Sequence, residues 1–356
     1  MTELTKLLVR VVLLIVVAEL TLRASFSKFH WKSARALGFM KNSALDRIPV
    51  FVSSPSFAEI KKEKEDYKPR EISAILDNAF GDCVDYSGRY LNVRQGVRRT
   101  TDAPSQDNGK VVCLGGSTTF CADVPDHETW ASVLQREFRE RGIPLRVENR
   151  GRMGATARNR LQYLRQHILL DEVRAVILYF GVNDSGWKAL RDRIGMPKIS
   201  NLAFRSGLAT ASFLSSIVEP QFITDLAKDV AQSTIEEIHS ASASLAPSGI
   251  RLLAVLQPHY WIDKPLPGRM DRHHPSLFNI DRRFLIALSA SYQVYRQNLW
   301  NQEIAFSDYS HLMTRNSEQF FVDWVHNSPS GCEILGKSLC DTLMSHGFVD
   351  SVQKNF

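Results

Sequence analysis

The sequence predicts an α/β protein with a parallel sheet covered by helices on both faces, and three observations carry that prediction. Short apolar runs bounded by turn residues recur at 111–115, 145–148, 175–180, 251–257 and 303–307, as expected of strands buried on both sides. Between them, apolar residues fall at helical spacing at 130–141, 156–167 and 223–244. Strands that alternate with helices build crossover units whose strands run parallel. Finally, GGST, NRGRMG and GVND each follow a predicted strand directly, and sites in such sheets form at the carboxyl ends of strands.

Taken in order, the chain opens with MTELTKLLVRVVLLIVVAELTLR. Residues 7–22 are strongly apolar, their only charges being Arg10 and Glu19. As a helix this run spans roughly 24 Å, slightly short of a ~30 Å hydrocarbon core. Charges near its ends can snorkel, so residues 1–24 are expected to form a single-pass membrane anchor. A cleaved signal peptide is the rival, yet no A-x-A-like site and no lipobox-type cysteine follows. Lys6 precedes the run, whereas Arg23, Lys28, Lys32 and Arg35 follow it. The positive-inside rule then places the remainder of the chain in the cytoplasm.

Residues 25–104 read as an N-terminal extension and linker. Within them SSPSFAEIKKEKEDYKPR, 53–70, is charged enough to be a linker or a solvated helix, and TDAPSQDNG, 101–109, is a punctuated loop. No internal repeat is visible. Residues 262–300, with DKPLPGRMDRHHPSLFNIDRR at their start, predict a long loop or lid and then a helix near 284–300; such insertions often border a binding site.

Composition bounds the function. The 356 residues are 44% hydrophobic and 23% charged, which suits a globular chain with a sizeable core in one large domain or two. The net charge of +6 is scattered and no nucleic-acid motif accompanies it, so a nucleic-acid platform is not expected. Cys83, Cys113, Cys121, Cys332 and Cys340 show no C-x-x-C spacing. An odd count leaves at least one thiol without an intramolecular partner, and no zinc site is expected. Cys113, inside a strand pattern, is expected to pack as a small hydrophobe.

Candidate chemistry lies in a handful of stretches. Ser117 follows Gly115-Gly116 at a strand-to-helix turn, where glycine adds no bulk and the helix start offers free N–H groups; it is a candidate nucleophile or an ordinary helix N-cap. A phosphate-binding loop is excluded because its lysine is missing. Gly154 in NRGRMGAT can bring its N–H to a substrate oxygen or simply supply a positive φ in a turn. Asn183 in YFGVND offers an uncharged NH2 donor, or closes an Asx turn. In FVDWVHNSPSG, Asp323 precedes His326 by three positions, close enough on a compact turn to orient the imidazole. Ser328-Pro329 then reads as the N-cap and first residue of the last helix. His259, Tyr260 and Trp261 are candidate substrate contacts or ordinary loop packing, and His273-His274 reads as part of the solvated lid loop.

A strand-end serine, then glycine, then asparagine, then Asp-x-x-His near the end of the chain, in that order, resembles the SGNH (GDSL-type) hydrolase superfamily over about residues 105–348. The resemblance implies a flavodoxin-like three-layer α/β/α sandwich with a five-stranded parallel sheet, a hydrolase domain at 105–350 and no metal or organic cofactor. It implies Ser117 as nucleophile, Asp323 and His326 as its triad partners, and an oxyanion hole from Ser117, Gly154 and Asn183. The implied activity is that of a carboxylic ester hydrolase, an esterase when water is the acceptor and an O-acyltransferase when a sugar hydroxyl is. An anchored GGST domain is similar to envelope proteins of surface-polysaccharide modification, which implies acetylated glycans as substrates and an extracytoplasmic domain, against the flanking charges. Lipid or lysophospholipid esters are the competing substrate, and a catalytically silent binding protein in polysaccharide assembly the competing role. The chain departs from the family pattern at Gly116, where an acidic residue is usual, and at Cys121, where glycine is frequent.

Overall fold

The computed structural model describes residues 56–77, 81–104, 108–168, 172–185, 220–262, 282–300, 304–313 and 317–349. All fall within one compact unit, Ala44–Gly195 together with Pro220–Phe356. The expected anchor at 1–24 and the His273-His274 pair lie outside the described residues. Among the described residues no helix is long and apolar enough to cross a membrane.

In chain order the elements are α1 (Phe57–Asp77), β1 (Tyr86–Ser87), β2 (Asn92–Arg94), β3 (Val97–Arg98), β4 (Lys110–Gly115), α2 (Ser117–Phe120), α3 (Trp130–Glu140), β5 (Arg146–Gly151), α4 (Ala157–His167), β6 (Val173–Phe180), α5 (Pro220–Leu245), β7 (Arg251–Leu256), α6 (Arg282–Leu299), β8 (Ala305–Asp308), α7 (Ser317–Phe320) and α8 (Pro329–Ser345). Among the described residues the sheet has eight strands in the order β1-β2-β3-β5-β4-β6-β7-β8. Strands β5, β4, β6, β7 and β8 are parallel, an order of 2-1-3-4-5 counted among themselves, which is the flavodoxin-like arrangement.

The expected five-strand sheet is thus the parallel part of a larger one, because β1, β2 and β3 add an antiparallel meander to the β5 edge. Gln95 and Gly96, both at positive φ (52° and 73°), make the tight turn between β2 and β3, as two-residue hairpins require. The segment at 53–70 is also more than a solvated linker. Along α1, Ile60, Tyr67 and Glu71 are buried, and Lys64 shares their stripe. The carboxylate of Glu63 receives the N–H groups of Arg89, Tyr90 and Leu91, tying α1 to the loop before β2.

Alternation along the strands builds two cores. Val111, Cys113, Ile177, Tyr179, Leu253 and Val255 face α3 and α8. Val112, Leu114, Val176, Leu178, Leu252 and Ala254 face α4, α5 and α6. Helix starts carry side-chain caps. Thr156 and Asn159 form a capping box on α4, and Ser328 accepts from the Gly331 N–H ahead of Pro329. All five cysteines are free and buried.

On the first face α8 lies tightly against α3. A Cβ at Gly336 would stand 2.6 Å from Val133 Cβ and 2.8 Å from the Trp130 carbonyl oxygen, neither of which can swing aside. Overpacking of this kind costs about 1–3 kcal/mol, more than the ~1 kcal/mol that alanine gains over glycine in a helix. Gly336→Ala is therefore expected to lower the urea midpoint, and an unchanged or higher midpoint would contradict the packing described.

Candidate active site

The site forms where the parallel order reverses, at the carboxyl ends of β4 and β6, the position where open α/β sheets bind ligands. Gly151, Gly115 and Tyr179 lie abreast there across β5, β4 and β6. Helix α2 sits directly upon the two glycines. A Cβ at Gly115 would lie 2.1 Å from Thr119 Oγ1 and 2.5 Å from the Tyr179 carbonyl oxygen, and one at Gly151 would lie 2.3 Å from the Phe120 nitrogen. Both glycines are there for space.

Ser117 is the first residue of α2, behind Gly116, which occupies the N-cap position. From Gly109 to Asp126 every residue is buried except Ser117. Its hydroxyl does not cap the helix. Ser117 Oγ lies 2.8 Å from His326 Nε2, and His326 Nδ1 lies 2.6 Å from Asp323 Oδ2. A ring that donates from Nδ1 to a carboxylate presents its Nε2 lone pair to the hydroxyl.

The loop 321–327 holds this geometry locally. Phe321 bridges Asn327, and the Val322 N–H donates to the His326 carbonyl at 2.8 Å. Asp323 Oδ1 accepts from the backbone N–H groups of Val325 (2.8 Å) and His326 (2.7 Å), so one carboxylate fixes both the loop and the ring. Burial opposes charge on both side chains. For Asp323, the imidazole and the two N–H groups outweigh it and hold the carboxyl at about 2. For His326, the Asp323 carboxylate outweighs burial and raises the imidazole above its ordinary value. Lys64 of α1, paired with Asp123 beyond α2, also contributes charge to this neighbourhood.

Asn183 lies beyond β6, and its Nδ2 donates one hydrogen to the Ala155 carbonyl at 2.9 Å. A Cβ at Gly116 would stand 2.4 Å from that Nδ2 and 3.1 Å from the Ala155 oxygen. A side chain at 116 would therefore require the Asn183 amide to shift. Gly154 adopts φ +67° in the turn closed by the Ala155 N–H on the Arg152 carbonyl at 3.1 Å. The neighbours of Ser117 and Gly154, namely Gly116 and Ala155, and the amide of Asn183 therefore meet at one point.

Asp184, which the motif reading passed over although it ends GVND, is 2% exposed. Its Oδ1 accepts from the Ala157 N–H at the start of α4 (2.6 Å), and its Oδ2 from the Gly181 N–H (3.0 Å). It thereby locks the Asn183 loop to the helix after Gly154.

The aromatic trio is placed differently. His259 is buried edge-on to Tyr292, with ring centroids 4.9 Å apart. Burial, with Arg296 and His311 nearby, pushes it down to about 3 and keeps it neutral. The Tyr260 N–H donates to the Trp324 carbonyl at 2.9 Å, so Tyr260 adjoins the Asp323–His326 loop, and Trp261 packs edge-on against it. Nearer the serine is Gln257, whose Oε1 accepts from Thr118 Oγ1 at 3.1 Å. Among the described residues no cluster of side chains is arranged to hold a metal ion.

No protein-family model and no curated protein matches the sequence. Among solved structures, the chain is similar to a lipase/acylhydrolase from Enterococcus faecalis (16% identity, 67% of this chain and 96% of that one, TM-score 0.39). It is similar to the psychrotrophic esterase EstA from Pseudoalteromonas sp. (12% identity, 67% and 98%, TM-score 0.38). It is likewise similar to a GDSL-like lipase from Bacteroides thetaiotaomicron (15% identity, 68% and 92%, TM-score 0.37).

The opposed influences on His326 can be separated by titration. Its ring resonances, followed by NMR, are expected to titrate above the ordinary imidazole value of about 6.5. In Asp323→Asn the raising charge is gone and burial acts against the cation, so the midpoint should fall. An unchanged midpoint would mean that Asp323 does not set the protonation of this ring.

Proposed function

We propose that the chain is a serine esterase of the SGNH type, acting through Ser117, His326 and Asp323 on small acyl esters, acetyl esters of surface glycans foremost. The observation that carries this reading is the unbroken line from Ser117 Oγ to His326 Nε2 (2.8 Å) and from His326 Nδ1 to Asp323 (2.6 Å), ending on the one partly exposed residue of a buried stretch. A hydroxyl is a weak nucleophile until an adjacent base takes its proton. The line supplies that base.

In the proposed reaction His326 removes the Ser117 proton as Oγ attacks the ester carbonyl, and Asp323 stabilises the imidazolium that forms. The backbone N–H groups of Ser117 and Gly154, with the second Nδ2 hydrogen of Asn183, bind the oxyanion. His326 then gives the proton to the departing alcohol, leaving an acyl-enzyme. Water enters by the same route in reverse, with His326 again as base, and releases the acid. Every step uses groups of this chain and needs no cofactor. The likeness to polysaccharide-modifying envelope proteins supports the acetyl and glycan assignment.

Hydrolysis of p-nitrophenyl acetate and of longer-chain esters near pH 8 by the full chain tests the proposal. Turnover should favour the short ester and disappear in Ser117→Ala and in His326→Ala. Asn183→Ala should lose about 10²- to 10³-fold in kcat, the usual cost of one oxyanion donor. Gly116→Ala, which displaces the same amide, should move in the same direction. A folded wild type that neither turns over esters nor takes up an organophosphonate at Ser117 would sink the esterase and leave a silent binding role.

A further inference from the structure

The segment before the parallel sheet contributes no residue to the proposed triad or oxyanion hole, yet it grips two of the segments that do. Arg98, the last residue of β3, is fully buried. Its Nη1 donates to the carbonyl oxygens of Phe120 (2.7 Å) and Cys121, its Nη2 to that of Val124 (2.7 Å), and its Nε to Asp126 Oδ1 (3.2 Å). Opposite Arg98 in the sheet register stands Asn149, whose Nδ2 donates to the Thr119 carbonyl at 2.8 Å. A short helix cannot satisfy its own last carbonyls. Here two facing side chains of β3 and β5 satisfy them, and so fix the helix that begins with Ser117. The path beyond it is constrained as well, since Cys121 holds φ 57°, a left-handed conformation unusual for a residue with a side chain.

A second grip acts on the Gly154 loop. Glu71 of α1 and Arg152 are both buried, and Arg152 Nε lies 2.9 Å from Glu71 Oε1. Arg152 Nη1 also donates to the Gly81 carbonyl at 2.7 Å. The other oxygen of Glu71 accepts from Tyr67 Oη (2.9 Å) and from the Val84 N–H (3.0 Å). Arg152 opens the turn in which Gly154 sits: its N–H donates to the Gly115 carbonyl at 3.0 Å, and its carbonyl receives the Ala155 N–H.

We propose that Arg98 and Glu71 are positioning residues of the active site, Arg98 setting Ser117 through the carbonyls of residues 120–124, and Glu71 setting Gly154 through Arg152. The proposal rests on the esterase reading above. Neither side chain meets substrate. Each acts by fixing where a reacting or stabilising group stands, for which a rigid guanidinium fork suits better than a point charge. Buried ion pairs add little net stability over apolar replacements, so the return on this one lies in the geometry it imposes.

Arg98→Lys and Glu71→Gln in the full chain test the idea, with kcat and KM for p-nitrophenyl acetate measured well below each variant's thermal midpoint. Arg98→Lys keeps the charge and loses the fork; Glu71→Gln keeps the shape and loses the charge. We expect kcat to fall roughly 10- to 100-fold, as for a misplacement of about 1 Å. KM should stay within about twofold, because the lost alignment matters in the transition state. The rate of organophosphonate uptake at Ser117 should fall in parallel. If Arg98→Lys does not fold, the milder Glu71→Gln decides. Folded variants with lowered midpoints but wild-type kcat and uptake rates would overturn the proposal and leave these contacts a purely structural role. A wild type without turnover or uptake would instead remove the esterase reading, and this proposal with it.

Discussion

The close approach of α2 to the ends of β4 and β5 is the constraint on which the site depends. A helical turn can lie directly on two strand ends only if the strands offer no side chains where it crosses, and Gly115 and Gly151 provide that clearance. Seated there, the residues of α2 after Ser117 are driven into the sheet and become core. Ser117, at the start of the helix, remains partly exposed. The same crossing brings α2 beneath the loops after β5 and β6, which places Gly154 and Asn183 beside it. Gly116 extends the requirement one residue further, since the Asn183 amide occupies the space of its missing Cβ.

The partner of that serine is organised by local chemistry instead. Asp323 and His326 are three positions apart, and the carboxylate binds the backbone of the loop with one oxygen and the ring with the other. The loop therefore cannot rearrange without breaking the bond that orients the imidazole. Burial alone would press both groups toward neutrality. Held together they remain an ion pair in waiting, with the carboxyl at about 2 and the ring above its ordinary range. A base with a raised pKa takes a proton more readily, while the carboxylate beside it stays charged throughout the working range.

Much of this was legible in the sequence because it rests on short-range rules. The five parallel strands are continuous apolar runs. The cap Ser328 follows side-chain chemistry within one turn, and GGST, NRGRMG, GVND and DWVH are contiguous words. What escaped is polar and long-range. The strands β1, β2 and β3 are two or three residues long, too short for an alternating pattern to show. The buried stripe of α1 alternates Ile60 and Tyr67 with Lys64 and Glu71, so its hydropathy resembles that of a solvated helix. Arg98 and Glu71 look like surface charges until the carbonyls and the guanidinium that receive them are in place. For His259 the sequence left a substrate contact and ordinary packing open, and its ring packs within the core against Tyr292.

The added meander also resolves a problem that a five-strand sheet of this order would leave open. Strand β5 would be the outer strand on its side, and an exposed edge is both mobile and prone to false pairing. In this chain it is the strand that delivers the Gly154 loop and, through Asn149, one grip on α2. Pairing β3 with β5 closes that edge. The single registered pair, Arg98 opposite Asn149, sets two polar side chains at the same height, from which they reach adjoining carbonyls at the end of α2. Edge protection and alignment of the serine are therefore achieved by one strand pair, so a change that loosens the meander would be felt at Ser117 before it was felt in the main core.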